Sequence, residues 1–337
     1  MPLTAERIPE VAAVDFRALP DDVLEATEPV VLRGLAAGWP VVRAGLESQA
    51  AATTYLRRFY KDASVVAMAG DPAIGGRFFY NDDLSGFNYR MYRTRLDGVL
   101  AELAKHSVET NPPSLYVGST AIDSVLPGFR AENDFDFGKR APVASVWIGN
   151  RTRIAAHHDL PDNLACVVAG HRRFTLFPPE QIANLYVGPL DFNPAGQPIS
   201  LVDFAAPDFQ RFPRFADALK AARVAELGPG DAIFIPSMWW HHIEALDAFN
   251  VLVNYWWRQS PAHMDSPMGA LLLALMTVRD LPPEQRAAWE NLFKHYVFAP
   301  GDETVAHIPE RARRALGPLD PNLAREIRAN ALARFNR

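Results

Sequence analysis

His157 and Asp159 are the residues whose types and spacing first indicate chemistry in this chain. Residues two apart in a β-strand point to the same face, so a His-x-Asp sequence on a strand directs one nitrogen and one oxygen ligand to a single point. A distant histidine, His241 in SMWWHHIEAL, supplies a third ligand of the set that octahedral iron accepts on one face. His-x-Asp alone is a weak signal, so this prediction depends on the surrounding sequence.

Each of these histidines has a histidine neighbour. His158 is expected on the opposite face of the strand from His157, where the simpler interpretation is a packed or hydrogen-bonded side chain. His242 is an alternative to His241 as the third ligand, because the MWWHH segment can turn in more than one way. Strand spacing alone does not decide between His241 and His242.

Length, composition and charge describe a globular chain. Its 337 residues are 49% hydrophobic and 22% charged, which is typical of one large domain or two ordinary ones. The net charge of −5 is spread without long runs of one sign, which argues against a dedicated nucleic-acid surface. A single cysteine, Cys166, excludes an internal disulfide framework and a cysteine-rich zinc site, and is expected to be a small buried residue.

The sequence also lacks the signals of membrane insertion or export. Its first residues, MPLTAERIPEV, do not follow the basic-then-apolar pattern of a secretory signal. The longest apolar run, Gly269–Met276, is too short to span a bilayer. These features predict a protein of the reducing cytoplasm, a compartment that suits a ferrous site.

Residues 1–110 are predicted to form an N-terminal α/β extension of the domain. Apolar runs bounded by turn residues indicate strands, and leucine and valine at helical spacing indicate a helix. The predicted strands are Pro29–Gly34, Ser64–Ala69 and Arg77–Tyr80, and the predicted helices are Ala52–Tyr60 and Thr94–Lys105.

Residues 111–260 consist of short apolar runs separated by turn signals, the pattern of a sandwich or barrel. The Gly170–His171 step between two such runs predicts a tight hairpin, and Pro178–Pro179 ends the second run. Residues 182–225 are interpreted as an insertion with proline-rich loops and a helix near Phe215–Arg223. The predicted strands are 115–118, 144–149, 154–157, 163–169, 173–177, 231–235 and 250–256.

Residues 261–337 are predicted to be helical. Met268–Arg279 is apolar on most sides, so we expect it to be buried, within the chain or against a partner chain. Pro283–Lys294 begins with proline and is amphipathic. Asp320 before Pro321 is the N-cap signal of a further helix.

Five segments together resemble a known family: HHDLPDN, GHRRFTLFPPEQ, VDF…PDFQRFP, GPGDAIFIPSMWWHHIEAL and VNYWW. They are similar to the JmjC-like cupins (the cupin-8 group) of Fe(II)/2-oxoglutarate oxygenases, and most closely to the factor-inhibiting-HIF type of protein hydroxylase. The resemblance covers roughly residues 145–257 well and extends more loosely to both ends. It implies a mainly β fold with flanking helices, in which a double-stranded β-helix (jelly roll) is followed by a C-terminal helical part that forms a dimer interface in related enzymes.

The resemblance implies roles for individual residues. His157, Asp159 and His241 are implied to hold Fe(II), leaving positions for 2-oxoglutarate and O2. Arg172, where relatives often carry lysine, is implied to bind the distal carboxylate of 2-oxoglutarate, since a guanidinium can hold a carboxylate with two hydrogen bonds. The alternative is that Arg172 is a surface residue beside a hairpin; if it points inward, Arg173 points outward. The other implied cosubstrate contacts are Asn163, Tyr116 and Asn254.

Other positions depart from the family pattern or are weaker candidates. Ile154 stands where relatives use a threonine, which weakens one expected contact with the cosubstrate. Pro198–Ile199 stands where an asparaginyl hydroxylase of the family has an Arg-Gln pair, so asparagine hydroxylation is not implied. The candidates for the substrate mouth are Tyr80, Asn81 and Trp256, for which a plain core position is the alternative.

The implied activity is that of a dioxygenase that uses Fe(II), 2-oxoglutarate and O2, hydroxylates a C–H bond and releases succinate and CO2. A protein or peptide side chain is the favoured substrate and a small molecule is the alternative. Asp159 fills the ligand position that a halogenase needs free. Two other functions compete: a metal-binding cupin that acts as an isomerase or lyase without 2-oxoglutarate, and an inactive binding module. The first predicts no basic residue facing the metal from position 172, and the second gives no reason for an intact ligand set.

Overall fold

Runs of β-branched and aromatic residues form the strands of the fold. Strands covered on both faces, such as Asp162–Ala169, are buried at every position. The strands that the structure describes are, in chain order, β1 (Glu6–Arg7), β2 (Glu10–Ala12), β3 (Val30–Arg33), β4 (Ser64–Gly70), β5 (Arg77–Phe78), β6 (Arg90–Arg95), β7 (Ser114–Ala121), β8 (Val143–Gly149), β9 (Arg153–His157), β10 (Asp162–Ala169), β11 (Arg172–Phe177), β12 (Arg223–Leu227), β13 (Ala232–Ile235), β14 (Trp240–Ala245) and β15 (Asn250–Trp257).

The strands build two sheets that carry the site between them. The six-stranded sheet has the order β1-β12-β11-β14-β9-β5, and the nine-stranded sheet has the order β2-β3-β13-β10-β15-β8-β7-β4-β6. Apolar residues from both sheets, among them Phe174 of β11 and Val167 of β10, pack in one buried cluster. This mainly β architecture with flanking helices confirms the predicted cupin or jelly-roll class.

The computed structural model describes residues 5–13, 19–194 and 196–335, and the chain divides into two compact units, Met1–Trp257 and Arg258–Arg337. All of the described strands lie in the first unit. Strands from residues before 110 belong to both sheets, since β1 and β5 lie in one and β2, β3, β4 and β6 in the other. The N-terminal segment is therefore built into the same sheets as the predicted core.

The predicted hairpin at Gly170–His171 is wrong. β10, which precedes this step, pairs with β13 and β15, whereas β11, which follows it, pairs with β12 and β14 in the other sheet. The chain turns at Gly170 with φ of 72°, and a Cβ there would lie 2.5 Å from the carbonyl oxygen of Phe249. Two adjacent apolar runs read as a hairpin in sequence, but a jelly roll sends consecutive strands to opposite sheets.

Helices cover the outer face of the nine-stranded sheet, where they bury residues such as Leu56 and Leu100. Ser48 caps the helix predicted near residue 52 by accepting a hydrogen bond from the backbone N–H of Ala51 at 3.0 Å. The helices are α1 (Asp21–Leu24), α2 (Pro40–Glu47), α3 (Gln49–Phe59), α4 (Leu96–His106), α5 (Ile122–Val125), α6 (Phe215–Lys220), α7 (Pro267–Thr277), α8 (Pro283–Phe293), α9 (Glu303–Ala306) and α10 (Pro321–Phe335).

The second unit is helical, and its first helix differs from the prediction. α7 contains no buried residue within the chain, and Met276 is 65% exposed, so the expected burial inside the chain is wrong. The predicted N-cap is confirmed, because Oδ1 of Asp320 accepts hydrogen bonds from the backbone N–H groups of Asn322 and Leu323, each at 2.8 Å. Among the described residues, no helix combines the length and apolar character needed to cross a bilayer.

Candidate metal centre

Three side chains converge where β9 and β14 run side by side. His157 at the end of β9 is the cross-strand partner of His241 in β14, and their ring centroids are 4.3 Å apart. Asp159 follows β9 and places a carboxylate oxygen 3.6 Å from Nε2 of His241. One ligand atom from each residue lies within 4.8 Å of the other two, so the three form a candidate metal site.

Hydrogen bonds to the backbone orient both imidazole rings. Nδ1 of His157 lies 2.9 Å from the carbonyl oxygen of Ala155, and Nδ1 of His241 lies 3.0 Å from that of Trp239. A carbonyl only accepts hydrogen bonds, so each Nδ1 carries the proton and each Nε2 keeps a free lone pair. This is how proteins orient histidine as a metal ligand.

The electrostatics of the cluster favour the ligand forms of its members. Burial, reinforced by the neighbouring His241, lowers the pKa of His157 to about 4. Burial alone would raise the pKa of Asp159, but the adjacent His241 and His157 imidazoles bring it down to about 2. At neutral pH the cluster therefore offers a neutral imidazole and a carboxylate, as metal binding requires.

Three hydrogen bonds join the loop that carries Asp159 to the loop that leads into β14 and His241. Oγ of Ser237 donates to the carbonyl of Leu160 at 2.5 Å, and the backbone N–H of Ser237 donates to Oδ1 of Asp162 at 2.9 Å. The backbone N–H of Met238, a residue with φ of 68°, donates to the carbonyl of Asp159 at 2.9 Å. We call these bonds the ligand-loop latch. They hold Met238 in a left-handed conformation that non-glycine residues adopt only under such constraint.

The structure separates each ligand from its histidine neighbour. His158 packs edge-on against Trp240, with ring centroids 4.7 Å apart. His242 is buried against Phe204, with ring centroids 4.5 Å apart. It is therefore His241, and not His242, that the structure brings to His157.

Arg172 faces the same cavity and is a buried cation, 2% exposed. Tyr116 shares a hydrogen bond with it, while Nε and Nη2 of Arg172 have no partner in the described part of the chain. Burial lowers the pKa of Arg172 and raises that of Tyr116 to about 12. Arg173 points outward instead and pairs with Glu226 at 2.6 Å, as strand alternation predicts. Unpartnered buried donors of this kind are suited to an anionic ligand.

A cavity of about 320 Å³ joins the metal cluster to Arg172. Two amides that were predicted to contact the cosubstrate lie on its wall, with Nδ2 of Asn254 donating to Oδ1 of Asn163 at 3.1 Å. Nε1 of Trp147 donates to Oδ1 of Asn254 at 2.7 Å, and the ring of Trp256 meets Trp147 edge-on at 5.6 Å. The predicted cosubstrate residues and Trp256 thus share one cavity.

The rest of the cavity lining is mainly apolar, and sequence reasoning found little of it. Alternation along β8 could have identified Trp147. Ala144, Val146 and Ile148 of this strand belong to the core, so Trp147 between them must point to the opposite face. Two others, Ile154 and Ile199, were noted in the sequence as departures from the family pattern. The rest come mainly from strands whose pairing is not visible in the sequence: Met68, Phe78, Ala155, Ala165, Ile243 and Leu252, with Gly118, Ser119, Pro194 and Gly196 at further positions.

Tyr80 and Asn81 do not line the cavity. Tyr80 is buried, and its hydroxyl donates a hydrogen bond at 2.5 Å to the carbonyl of Phe192, which belongs to the 182–225 insertion. Asn81 belongs to a turn in which its side chain accepts a hydrogen bond from the backbone N–H of Gly86 at 2.9 Å. Tyr80 therefore contacts the segment just before Pro194, which does line the cavity.

The residues present fit Fe(II) and 2-oxoglutarate. Two imidazoles and one carboxylate form the ligand set that non-haem iron oxygenases use, with three coordination positions left for other ligands. The unpartnered nitrogens of Arg172 lie in the same cavity and suit a carboxylate. Among the residues that line the cavity, Asp159 is the one carboxylate, so Arg172 has no protein anion there.

Comparison with known proteins gives the family. The model of the cupin-like domain, Cupin_8, matches residues 17–263. HSPB1-associated protein 1 of Homo sapiens is 31% identical over 166 residues, which is 47% of this chain and 33% of that protein. Lysine-specific demethylase JMJ31 of Arabidopsis thaliana is 34% identical over 128 residues, which is 36% of this chain and 23% of that protein. tRNA wybutosine-synthesizing protein 5 of Danio rerio is 37% identical over 106 residues, which is 32% of this chain and 29% of that protein.

These matches cover about a third or less of each relative's own length. The relatives also have names that describe different activities and associations, so their substrates do not transfer to this chain. The family match spans most of the first unit and includes every residue of the metal cluster. The chain therefore belongs to the Cupin_8 family of cupin-like, JmjC-type domains.

Proposed function

We propose that the protein is an Fe(II)- and 2-oxoglutarate-dependent dioxygenase that hydroxylates a C–H bond, with a protein side chain as the favoured substrate. The observation that supports this most directly is the buried, unpartnered Arg172 in the same cavity as His157, Asp159 and His241. A cupin isomerase or lyase without 2-oxoglutarate has no use for a buried cation at that position. A binding module without catalysis has no use for the metal cluster.

The chain's residues contribute binding, orientation and exclusion of water. His157, Asp159 and His241 would hold Fe(II), and Arg172 with Tyr116 would hold the distal carboxylate of 2-oxoglutarate. When bound, iron and 2-oxoglutarate supply the oxidation by O2 that yields succinate, CO2 and a hydroxylated product. The mainly apolar wall limits water near the reacting C–H bond.

The charge of the cavity favours hydroxylation of an uncharged group over demethylation of an ammonium group. Asp159 is the one carboxylate in the lining, and metal binding uses it. A cationic side chain that entered would lose its hydration without gaining an anionic partner, which is costly. We therefore favour an uncharged side chain as the group that is oxidised.

The test is an anaerobic titration of the purified protein with Fe(II) and 2-oxoglutarate. We expect a weak metal-to-ligand charge-transfer band in the visible. The band should be absent in His157→Ala and should require more 2-oxoglutarate in Arg172→Ala. Arg173→Ala is the matched control, because Arg173 lies next along the strand and points outward.

No band in iron-loaded wild type would refute the 2-oxoglutarate assignment. A metal-binding cupin that acts without 2-oxoglutarate would then be the favoured function, and small molecules would be tested as substrates. A band together with formation of succinate in air would leave the substrate as the next question.

We also propose that the second unit forms a homodimer interface. Its helices expose many large apolar side chains, including Met276 at 65% and Phe298 at 78%. Exposed apolar patches of this kind commonly mark protein interfaces.

A further inference from the structure

A strip of exposed sheet leads from the cavity to a free sheet edge. β6 is the last strand of the nine-stranded sheet in the described structure, and its hydrogen-bonded neighbour is β4. Four of the six residues of β6 are exposed. The outer backbone N–H and C=O groups of such an edge strand are available to pair with another chain.

Strand register places part of β6 on the cavity side of the sheet. Met68 of β4 lines the cavity and is the cross-strand partner of Met91 on one side and Tyr116 on the other. Cross-strand partners present their side chains on the same face, so Met91 lies on the cavity face, about 5 Å beyond Met68. By the same register Arg93 lies beside Val66 on this face. We call Val66, Met68, Met91 and Arg93 the rim strip.

The rim strip combines apolar exposure with one free positive charge. Met91 is 55% exposed and Val66 is 38% exposed. Arg93 forms no ion pair with any residue that the structure describes, whereas Arg95 on the same face pairs with Asp62 at 2.6 Å. The strip therefore suits a partner with apolar side chains and a negative charge.

A strained bulge lies between the rim strip and the metal cluster. The pairing of β7 with β8 shifts register between Val117 and Thr120, and Ser119 inside this bulge has φ of 41°. Ser119 is exposed and lines the cavity. Bulges and left-handed non-glycine residues concentrate next to functional sites, where they redirect side chains. Because Ser119 is exposed and also lines the cavity, the cavity can be reached from the surface at this bulge.

We propose that the rim strip docks an extended, acidic segment of a protein substrate, which adds to the free edge of β6 as a further strand. Its main chain pairs with β6, an apolar side chain packs against Met91, and a carboxylate pairs with Arg93. The segment beyond this strand crosses the exposed face of the sheet over Val66, and a side chain then passes Ser119 into the cavity. This inference rests on the proposed function and deepens it by naming the chemical class of the substrate.

The observations favour a peptide over a nucleic acid. Binding along a phosphate backbone uses several unpaired cations in a row. On the cavity face of β6 the described cations are Arg93, which is free, and Arg95, which hydrogen bonds to both Asp62 and Asp97. An edge strand with one free arginine between apolar side chains matches strand addition, in which main-chain hydrogen bonds give affinity and alternate side chains give specificity.

The test is a selection of displayed random peptides on the iron-loaded full chain under anaerobic conditions, followed by binding measurements on the enriched peptides. We compare wild type with Arg93→Glu and with Arg90→Glu. Arg90 is the matched control, because it lies on the same strand but on the opposite face, over the ring of Tyr92. The same peptides are also made with N-methyl groups at alternating positions.

Wild type should enrich peptides in which an apolar residue and an aspartate or glutamate lie two positions apart, because Met91 and Arg93 are two residues apart on the same face of β6. Arg93→Glu should weaken their binding about tenfold or more, while Arg90→Glu should change it less than about threefold. N-methylation of one alternate set should abolish binding and that of the other set should be tolerated, since only one set faces the strand. The charge-transfer band should be unchanged in both variants.

Any of four results would overturn the docking proposal: enrichment of no peptide, equal binding by Arg93→Glu and wild type, tolerance of both N-methylated sets, or Arg93-dependent binding of a tRNA in place of peptides. Absence of the band in wild type would instead refute the proposed function. The two failures are thus distinguishable, because docking is measured as binding and the cosubstrate as absorption.

Discussion

Ser237 offers a sharp test of how the fold positions the metal ligands. Its hydroxyl donates to the carbonyl of Leu160 at 2.5 Å, next to Asp159 in the chain. Ser237→Ala deletes this bond and keeps the two backbone bonds of the ligand-loop latch. The carboxylate of Asp159 should then sample more orientations before metal binds.

The magnitude follows from one lost hydrogen bond and one loosened ligand. Loss of a neutral hydrogen bond costs about 1 kcal/mol of unfolding free energy. Loss of a partner that orients a metal ligand typically weakens metal binding by about 10- to 100-fold, which corresponds to about 1.4 to 2.8 kcal/mol. We therefore expect Ser237→Ala to bind Fe(II) at least about tenfold more weakly while staying folded.

The assay is anaerobic calorimetric titration with Fe(II), combined with urea unfolding of the apoprotein. Ser200→Ala is the matched control, since Oγ of Ser200 also donates to a carbonyl, that of Leu185, at 2.5 Å. The control should lose similar stability and keep wild-type metal affinity. Equal metal affinity in Ser237→Ala and wild type would refute the idea that the latch positions Asp159.

Three further predictions concern the ligands, the cysteine and the second unit. His241→Ala should abolish metal binding, whereas His242→Ala should keep it and lose about 1 to 3 kcal/mol of stability from packing against Phe204, as anaerobic titration and urea unfolding would show; the reverse assignment of the ligand would contradict the structure. Burial raises the pKa of the Cys166 thiol, so iodoacetamide at mildly alkaline pH should react with it only after unfolding, which mass spectrometry would detect; rapid labelling of the native protein would contradict its burial. Leu272→Arg in α7 should shift a dimer to monomer in light scattering without changing the charge-transfer band, and a wild type that is monomeric at all concentrations would exclude the proposed interface.

Local sequence patterns were enough to predict most of the strands around the site. The runs at 144–149, 154–157 and 163–169 differ from the observed β8, β9 and β10 by at most one residue at each end. These strands are buried and apolar, so their period and their turn signals agree. The family resemblance implied that Arg172 points inward, and period two then predicted that Arg173 points outward; the structure has both orientations.

Pairing between strands could not be read from the sequence. β6, RMYRTR, has the polarity of a loop and forms a strand because it pairs with β4. The hairpin predicted at Gly170 failed for the same reason, since which sheet a strand joins is decided by contacts with distant segments. Tyr80 and Asn81 were predicted at the mouth because of a nearby strand, but that strand, β5, is only two residues long and pairs with β9.

The choice between His241 and His242 shows the same limit at the site. Both belong to β14 and differ in sequence position by one residue. Register decides which of them meets His157, and register depends on the pairing of β14 with β9, which includes a bulge between His241 and Ile243. The resemblance to a family supplied the assignment that local patterns left open.

The long-range strand pairing also has a consequence for how the chain folds during synthesis. β1 pairs with β12, β3 with β13, and β9 with β14, so each sheet joins early and late parts of the first unit. Non-local pairing of this kind slows folding and leaves strand edges unpaired until the later segments have left the ribosome. His157 and Asp159 are translated long before His241, so the nascent chain cannot assemble the three-residue site until β14 emerges. Iron loading should therefore follow completion of the sheets, and chains that terminate before β14 should aggregate instead of binding metal.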